Sequence, residues 1–132
     1  MINTKKYSLL VVDDTPENID VLREILREDY TIKVATSGAL AIKIAVEQLP
    51  DLILLDIKMP VMDGYETCRQ LKENEATQHI PVIFVTALKE IEGEALGFEL
   101  GAADYITKPV SPPIVRARVR AHLALSDQRH HL

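Results

Sequence analysis

The 132-residue sequence predicts an α/β fold in which a doubly wound parallel sheet of five strands is covered by helices on both faces. Short apolar runs rich in branched residues alternate strictly with longer stretches of helical period. Three of these runs are apolar throughout, as strands buried on both faces must be. The length suits one compact domain, and 47% hydrophobic with 27% charged residues provides both a core and a polar surface.

Five strands are expected, at residues 9–12, 31–35, 52–55, 82–85 and 104–107. The first, third and fourth read LLVV, LILL and VIFV and are predicted to be central. The second and fifth read TIKVA and DYIT, and they contain polar residues, as edge strands can. With right-handed crossovers, these positions give the strand order 2-1-3-4-5.

Five helices are expected between and after the strands. The first has Thr15 as its N-cap and Pro16 at its first helical position. The other helices follow Gly38, follow Gly64, precede Gly101 and begin at about Pro112.

The last helix has apolar residues on one face, and we expect this face to pack on the sheet. The residues are Ile114, Ala117, Ala121 and Leu125. Arg116 and Arg120 lie elsewhere on the helix and form a basic side, which is either a solvated surface or a partner site.

The charge and composition exclude several classes of function. A net charge of -5 gives no general electrostatic reason to bind nucleic acid directly. No segment is long enough to span a membrane, and the apolar run near the start is too short for a signal peptide. The single cysteine, Cys68, excludes an internal disulfide, fits a reducing cytoplasm and is interpreted as an ordinary helix residue.

Acidic and polar side chains occur where neighbouring strands end. Asp13 and Asp14 end the first strand, Asp56 ends the third, Thr86 ends the fourth, and Lys108 follows the fifth. Because the carboxyl ends of parallel strands meet at one edge of a sheet, these side chains should lie close together. Each aspartate alone could cap a helix or shape a turn, but structural need does not explain why all five residues share one edge.

Three neighbouring carboxylates repel one another unless a cation lies among them. Oxygen ligands without histidine or cysteine indicate a hard ion, Mg2+ or Mn2+, with open positions for water or phosphate. Thr86 could donate a hydrogen bond to a phosphoryl oxygen, and Lys108 could supply positive charge. In this interpretation Asp56 is the nucleophile.

Four segments together resemble the receiver domain of two-component response regulators. They are VVDD at 11–14, LLDIKMPVMDG at 54–64, VIFVTAL at 82–88 and GAADYITKP at 101–109. The resemblance extends from about Lys6 to about Leu125 and implies the (βα)5 arrangement known as flavodoxin-like or CheY-like. Residues 1–132 would form a single receiver domain with its core at about 6–125. Residues 126–132 would be a tail or the start of a linker to an output domain.

The resemblance implies that Asp56 accepts a phosphoryl group from a histidine kinase or phosphotransfer protein. Asp14, Asp56 and the backbone carbonyl of Lys58 would bind Mg2+ directly, and Asp13 would act mainly through water. Met59-Pro60 and Asp63-Gly64 would shape the loop around Asp56.

The resemblance also implies a switch. Thr86 would turn toward the phosphoryl group on activation, Lys108 would pair with that group, and the bond from Lys108 to Pro109 would be cis. The ring of Tyr105 would move from outside to inside as Thr86 moves. This motion would change the surface formed by the fourth helix, the fifth strand and the fifth helix, through which the protein could also form a homodimer.

The implied activity is that of a phosphorylation-controlled switch rather than an enzyme, one that catalyses its own Mg2+-dependent phosphoryl transfer and dephosphorylation. Lys58 and Leu88 occupy the positions that tune dephosphorylation in this family. Neither is an acid or amide suited to orienting water, so we expect slow hydrolysis of the aspartyl phosphate. Ala87 is small and leaves the donor's approach to Asp56 unobstructed.

Other interpretations remain open. A haloacid dehalogenase-type phosphatase needs a second acid two residues after its nucleophile, where this chain has Lys58. A flavodoxin-like cofactor binder needs a phosphate-cradling loop where this chain has DDTPEN. A degenerate receiver would bind partners without phosphorylation. The domain either acts alone or controls a linked output domain, and its ending resembles receivers joined to cyclic dinucleotide enzymes or histidine kinases.

Overall fold

The computed structural model of the chain describes residues 6–87 and 91–130, and Leu88, with its predicted tuning role, lies outside the described residues. Five parallel strands form one sheet. The strands are β1 (Ser8–Val12), β2 (Thr31–Ala35), β3 (Leu52–Leu55), β4 (Val82–Thr86) and β5 (Asp104–Thr107). Their order is β2-β1-β3-β4-β5, which confirms the predicted topology.

The burial of the strands follows the predicted division into centre and edge. All residues of β3 and β4 are buried, as are the last four residues of β1. The edge strands β2 and β5 carry partly exposed residues. The apolar runs of the sequence therefore identify the strands that helices cover on both faces.

Five helices connect and follow the strands. They are α1 (Pro16–Leu26), α2 (Gly38–Gln48), α3 (Gly64–Glu73), α4 (Ile91–Glu99) and α5 (Pro112–His130). The expected starts at Pro16, Gly38, Gly64 and Pro112 are confirmed. No helix in the described part of the chain is both long and apolar enough to cross a membrane.

The N-termini of the helices are capped in different ways. The side chain of Ser37 accepts a hydrogen bond from the backbone N–H of Leu40 (3.2 Å) at the start of α2, and Asp63 caps α3 similarly. Thr15 is the N-cap of α1, as predicted, but its hydroxyl makes no capping hydrogen bond within the described structure. Pro16 has no backbone N–H, so the first turn of α1 contains one donor fewer that needs an acceptor.

Alternate strand residues build two separate halves of the core. Leu9 and Val11 point to the face covered by α1 and α5, whereas Leu10 and Val12 point to the face covered by α2 and α3. Cys68 is buried in the second half, where burial raises the pKa of its thiol to about 11. It is therefore an ordinary buried helix residue, as expected.

The predicted packing face of α5 is wrong. Its buried residues are Val115, Val119 and Leu123, whereas the four residues predicted to pack on the sheet are all exposed. Those four are Ile114, Ala117, Ala121 and Leu125. Both sets recur at helical spacing, but each of the three buried positions carries a branched apolar side chain, whereas the predicted set has alanine at its two middle positions. The helix therefore turns its unbroken stripe of branched side chains to the sheet.

The two ends of the described chain meet beside β1. The hydroxyl of Tyr7 donates a hydrogen bond to Asp127 in the last turns of α5. The ammonium of Lys6 also lies 3.9 Å from a carboxylate oxygen of Asp127. Since this ion pair is largely exposed, the contact aligns the end of α5 with β1 but adds little stability.

A pair of leucines two residues apart tests the packing face of α5. Leu123 is 3% exposed and Leu125 is 48% exposed. We expect Leu123→Ala to lower the free energy of unfolding by about 2–4 kcal/mol because it leaves a cavity in the core. Leu125→Ala should change it by no more than about 0.5 kcal/mol. Urea unfolding followed by circular dichroism measures both, and equal losses would contradict the observed orientation of α5.

Candidate functional site

Three central strands deliver polar side chains to one edge of the sheet. Asp13 directly follows β1, Asp56 directly follows β3, and Thr86 is the last residue of β4. The backbone N–H of Asp56 donates to the carbonyl of Val12 (2.9 Å), so β1 holds the start of the loop that carries this carboxylate. Asp13, Asp56 and Thr86 are all buried. The strand ends therefore place these groups together, as the topology predicts.

Asp13, Asp14 and Asp56 form an acidic cluster. Each contributes one carboxylate oxygen, and these oxygens all lie within 4.8 Å of one another. Asp14 is exposed, while the other two carboxylates are buried. An all-oxygen donor set open to solvent on one side suits a hard divalent ion that retains part of its water shell.

The ammonium of Lys108 lies against two of the three acids. Its Nζ donates to Oδ2 of Asp13 (3.0 Å) and to Oδ1 of Asp56 (3.3 Å). The backbone N–H of Lys108 also donates to the carbonyl of Thr86 (2.9 Å). The expected cis peptide bond between Lys108 and Pro109 is confirmed. Lys108 is therefore bound at its backbone to β4 and at its side chain to the acids.

The carboxyl group of Asp56 has a raised pKa. Burial is the largest cause, because it disfavours the charged form, and the nearby charge of Asp13 raises the pKa further. Lys108 opposes both effects through its charge and its hydrogen bond. The net shift is upward, so the ionised Asp56 needs more positive charge than Lys108 alone provides.

Asp13 combines two roles that the sequence presented as alternatives. Its Oδ1 accepts a hydrogen bond from the backbone N–H of Thr15 (3.0 Å) and so shapes the turn into α1. Its Oδ2 faces Lys108. The turn orients one oxygen and thereby fixes the direction of the other.

The loop after β3 passes very close to Asp56. The N–H of Gly64 donates to the carbonyl of Ile57 (2.7 Å). A Cβ added at Gly64 would lie only 2.2 Å from the backbone oxygen of Asp56, so any side chain here would displace the loop. Val61 has a positive φ of 70°, an uncommon conformation for a β-branched residue, and its side chain is fully exposed.

A cleft of about 300 Å3 opens over the acids. It is lined by Asp14, Thr15, Asn18, Asp56, Lys58, Thr86, Ala87 and Lys108. Five of these are predicted site residues, and Asp13 contacts Lys108 beside them. The sequence analysis missed Asn18, whose signal was its place in the first turn of α1, directly after the acidic loop.

Tyr105 lies apart from the cleft. It is 7% exposed, and its ring centroid is 5.4 Å from those of both Phe84 and Phe98. Its ring therefore occupies an inward position beneath α4, on the same face of the sheet as α3.

Asn at position 56 should stabilise the protein in the absence of divalent ions. Because its pKa is raised, ionised Asp56 is disfavoured in the folded state, and Asp56→Asn removes that charge. We expect the free energy of unfolding at pH 7 in EDTA to rise, as measured by urea unfolding. The gain should be full above the raised pKa and should disappear as the pH falls below 3.8, the ordinary value for this group. Asp14→Asn, at the exposed acid, is the control, and a loss of stability in Asp56→Asn would contradict this account.

Comparisons with known proteins agree with this geometry. The family model of the response regulator receiver domain matches residues 9–120. The chain is 49% identical over 123 residues to a probable cyclic di-GMP phosphodiesterase of Vibrio cholerae, covering 93% of this chain and 28% of that protein. It is 43% identical over 114 residues to the response regulator PleD of Caulobacter vibrioides, covering 86% of this chain and 25% of PleD. The chain thus spans about a quarter of the length of these relatives.

A solved structure is also similar to this one. The receiver domain of the sensor histidine kinase PA1611 from Pseudomonas aeruginosa has a magnesium ion coordinated in its active site cleft. It matches with a TM-score of 0.83 and 28% identity, over 89% of this chain and 98% of that chain. Fold, acidic cluster and family match agree: the chain belongs to the response regulator receiver family and is a phosphoacceptor signalling domain of a two-component system.

Proposed function

We propose that Asp56 is the phosphoacceptor of this domain. The observation that carries the proposal is the position of its buried carboxylate, which lies among two further acids and 3.3 Å from the ammonium of Lys108. In the proposed reaction, an oxygen of Asp56 attacks the phosphorus of a phosphohistidine on a kinase or phosphotransfer protein. The phosphorus–nitrogen bond breaks, the imidazole keeps its electron pair, and an aspartyl phosphate forms. The small side chain of Ala87 leaves the cleft open to the donor.

We propose Mg2+ as the cofactor, with Mn2+ able to replace it. Asp14, Asp56 and the backbone carbonyl of Lys58 would hold the ion directly, and Asp13 mainly through water. When bound, the ion supplies positive charge to the acids and to phosphoryl oxygens. The raised pKa of Asp56 supports this assignment, because it indicates a carboxylate whose ionised form is under-compensated. The ion in the PA1611 receiver provides a precedent.

Lys108 and Thr86 are proposed to bind the phosphoryl group. Lys108 already pairs with Asp56, so its ammonium is within reach of a group bonded to that carboxylate. Thr86 ends the neighbouring strand and lines the same cleft. Preorganised donors at a developing negative charge are the usual means of assisting phosphoryl transfer. The domain would in this sense catalyse its own phosphorylation and dephosphorylation.

The proposed output is a change in the surface of α4, β5 and α5. Phosphorylation would favour one of two packings through its contacts with Thr86 and Lys108, and Tyr105 would report the change to this surface. The changed surface would control a partner or a linked output domain and would also be the site of a homodimer. We retain residues 1–132 as a single receiver domain with its core at about 6–125, cytoplasmic and without direct contact to nucleic acid.

Intact mass spectrometry tests the acceptor. Incubation with acetyl phosphate and Mg2+ should add one phosphoryl group to the protein. Asp56→Asn and omission of the metal should each abolish the gain, whereas Asp51→Asn, at an exposed acid just before β3, should keep it. A phosphoryl group on Asp56→Asn would contradict the assignment.

A second experiment tests the lifetime of the phosphorylated state. Lys58 lines the cleft and cannot orient an attacking water as an amide or acid can. Lys58→Asn should therefore speed the decay of phosphorylated protein about fivefold, equivalent to ~1 kcal/mol for one hydrogen bond to the water. The loss of phosphorylated mass over time measures the rate, with Lys43→Asn on the exposed surface of α2 as control. An unchanged rate in Lys58→Asn would remove Lys58 from the explanation.

A further inference from the structure

The backbone of α4 passes unusually close to the ring of Tyr105 at Gly97. A Cβ built on Gly97 would lie 2.1 Å from the hydroxyl oxygen of Tyr105. It would also lie 2.8 Å from Cζ and 2.9 Å from Cε1 of the same ring. All three distances are below 3.0 Å, a separation that real Cβ atoms essentially never show. The inward position of Tyr105 therefore depends on the absence of a side chain at this residue.

The ring cannot absorb an added methyl group by a small local adjustment. Cζ and Cε1 belong to a rigid ring, which moves as a unit when the side-chain torsions rotate. On its other sides the ring contacts Phe84, which is fully buried, and Phe98. Close-packed interiors respond to added volume by moving to another discrete arrangement or by accumulating strain.

The backbone of α4 does not itself require glycine at position 97. Gly101, just after the helix, has a φ of +100°, which accounts for the choice of glycine there. Among the described glycines, Gly101 alone has a positive φ. Within a helix, glycine is unfavourable relative to alanine. The contact with Tyr105 is thus the feature of Gly97 that alanine could not reproduce.

We propose that Gly97 is a positioning residue for the switch: its missing side chain forms the slot that admits the ring of Tyr105 to the inward position. The residue contacts neither the acids nor the cleft, and it acts through Tyr105. This inference rests on the proposed function in taking Tyr105 as the switch residue, while the slot itself rests on the geometry alone. A methyl group in the slot biases the ring toward the outward position whatever the state of Asp56.

Fluorine NMR of protein labelled with 3-fluorotyrosine tests the slot without any phosphorylation. The chain has four tyrosines, and Tyr105→Phe assigns the resonance of Tyr105 by removing it. In the unsubstituted protein this resonance should show little solvent isotope shift between H2O and D2O, since the ring is buried. In Gly97→Ala the Tyr105 resonance should show a solvent isotope shift close to the one that it has when the same protein is unfolded in urea. A Tyr105 resonance that stays protected in folded Gly97→Ala would overturn the proposal.

Two further variants distinguish the effect of filling the slot from the general effect of an alanine substitution in α4. Glu99→Ala places alanine at an exposed position of α4 and should leave the Tyr105 resonance unchanged. The same shift in this control would overturn the proposal. If Gly97→Ala fails to fold, Gly97→Ala/Tyr105→Leu should restore folding because the clashing ring is gone, and a double variant that also fails would count against the slot.

Intact mass after treatment with acetyl phosphate separates two possible failures, that of Asp56 as the phosphoacceptor and that of the slot at Gly97. Gly97→Ala should still gain one phosphoryl group, since the residue lies outside the cleft. If the unsubstituted protein gains none while the ring still turns outward in Gly97→Ala, the proposed function fails and the slot stands. If phosphorylation proceeds and the ring stays inward in Gly97→Ala, the slot fails alone.

Discussion

The site depends on how the buried charge of Asp56 is compensated. Ending a strand that is buried on both faces with a carboxylate is costly unless opposite charge is close. Lys108 supplies part of that charge by reaching Asp13 and Asp56 together, yet the raised pKa of Asp56 indicates that the compensation is incomplete. A divalent ion would supply the missing positive charge, and a phosphoryl group on Asp56 would add negative charge that the ion and Lys108 would then balance together.

The parallel topology makes this arrangement possible. Asp13, Asp56, Thr86 and Lys108 are scattered over nearly a hundred positions of sequence, but each ends or follows a strand of one sheet. Parallel pairing brings all carboxyl ends to one edge. No segment of the chain forms the site alone, and the core halves above and below the sheet hold the strand ends in register.

Much of the fold, and the grouping of the acids at one edge of the sheet, could be predicted because the sequence patterns behind them are distinctive. Uninterrupted apolar runs defined the central strands, and the topology then brought the acids together. The packing face of α5 could not be predicted from spacing, since two apolar stripes share the helical period and only the contact with the sheet shows which of them is buried. The close approach of Gly97 to Tyr105 could not be predicted either, because it depends on the distance between α4 and β5.

The edge position of β5 has a consequence for how such a domain diversifies. Within the described residues this strand pairs with β4 alone, and its adjacent residues Tyr105 and Ile106 point into opposite halves of the core. A displacement at this margin therefore reaches both layers of helices while the three inner strands keep their pairing. Because β5 lies at the margin of the sheet, its partly exposed side chains can be exchanged without removing a strand from between two others, provided that Lys108 after its end keeps its place beside the acids. The same strand-end geometry can thus be combined with different outer surfaces.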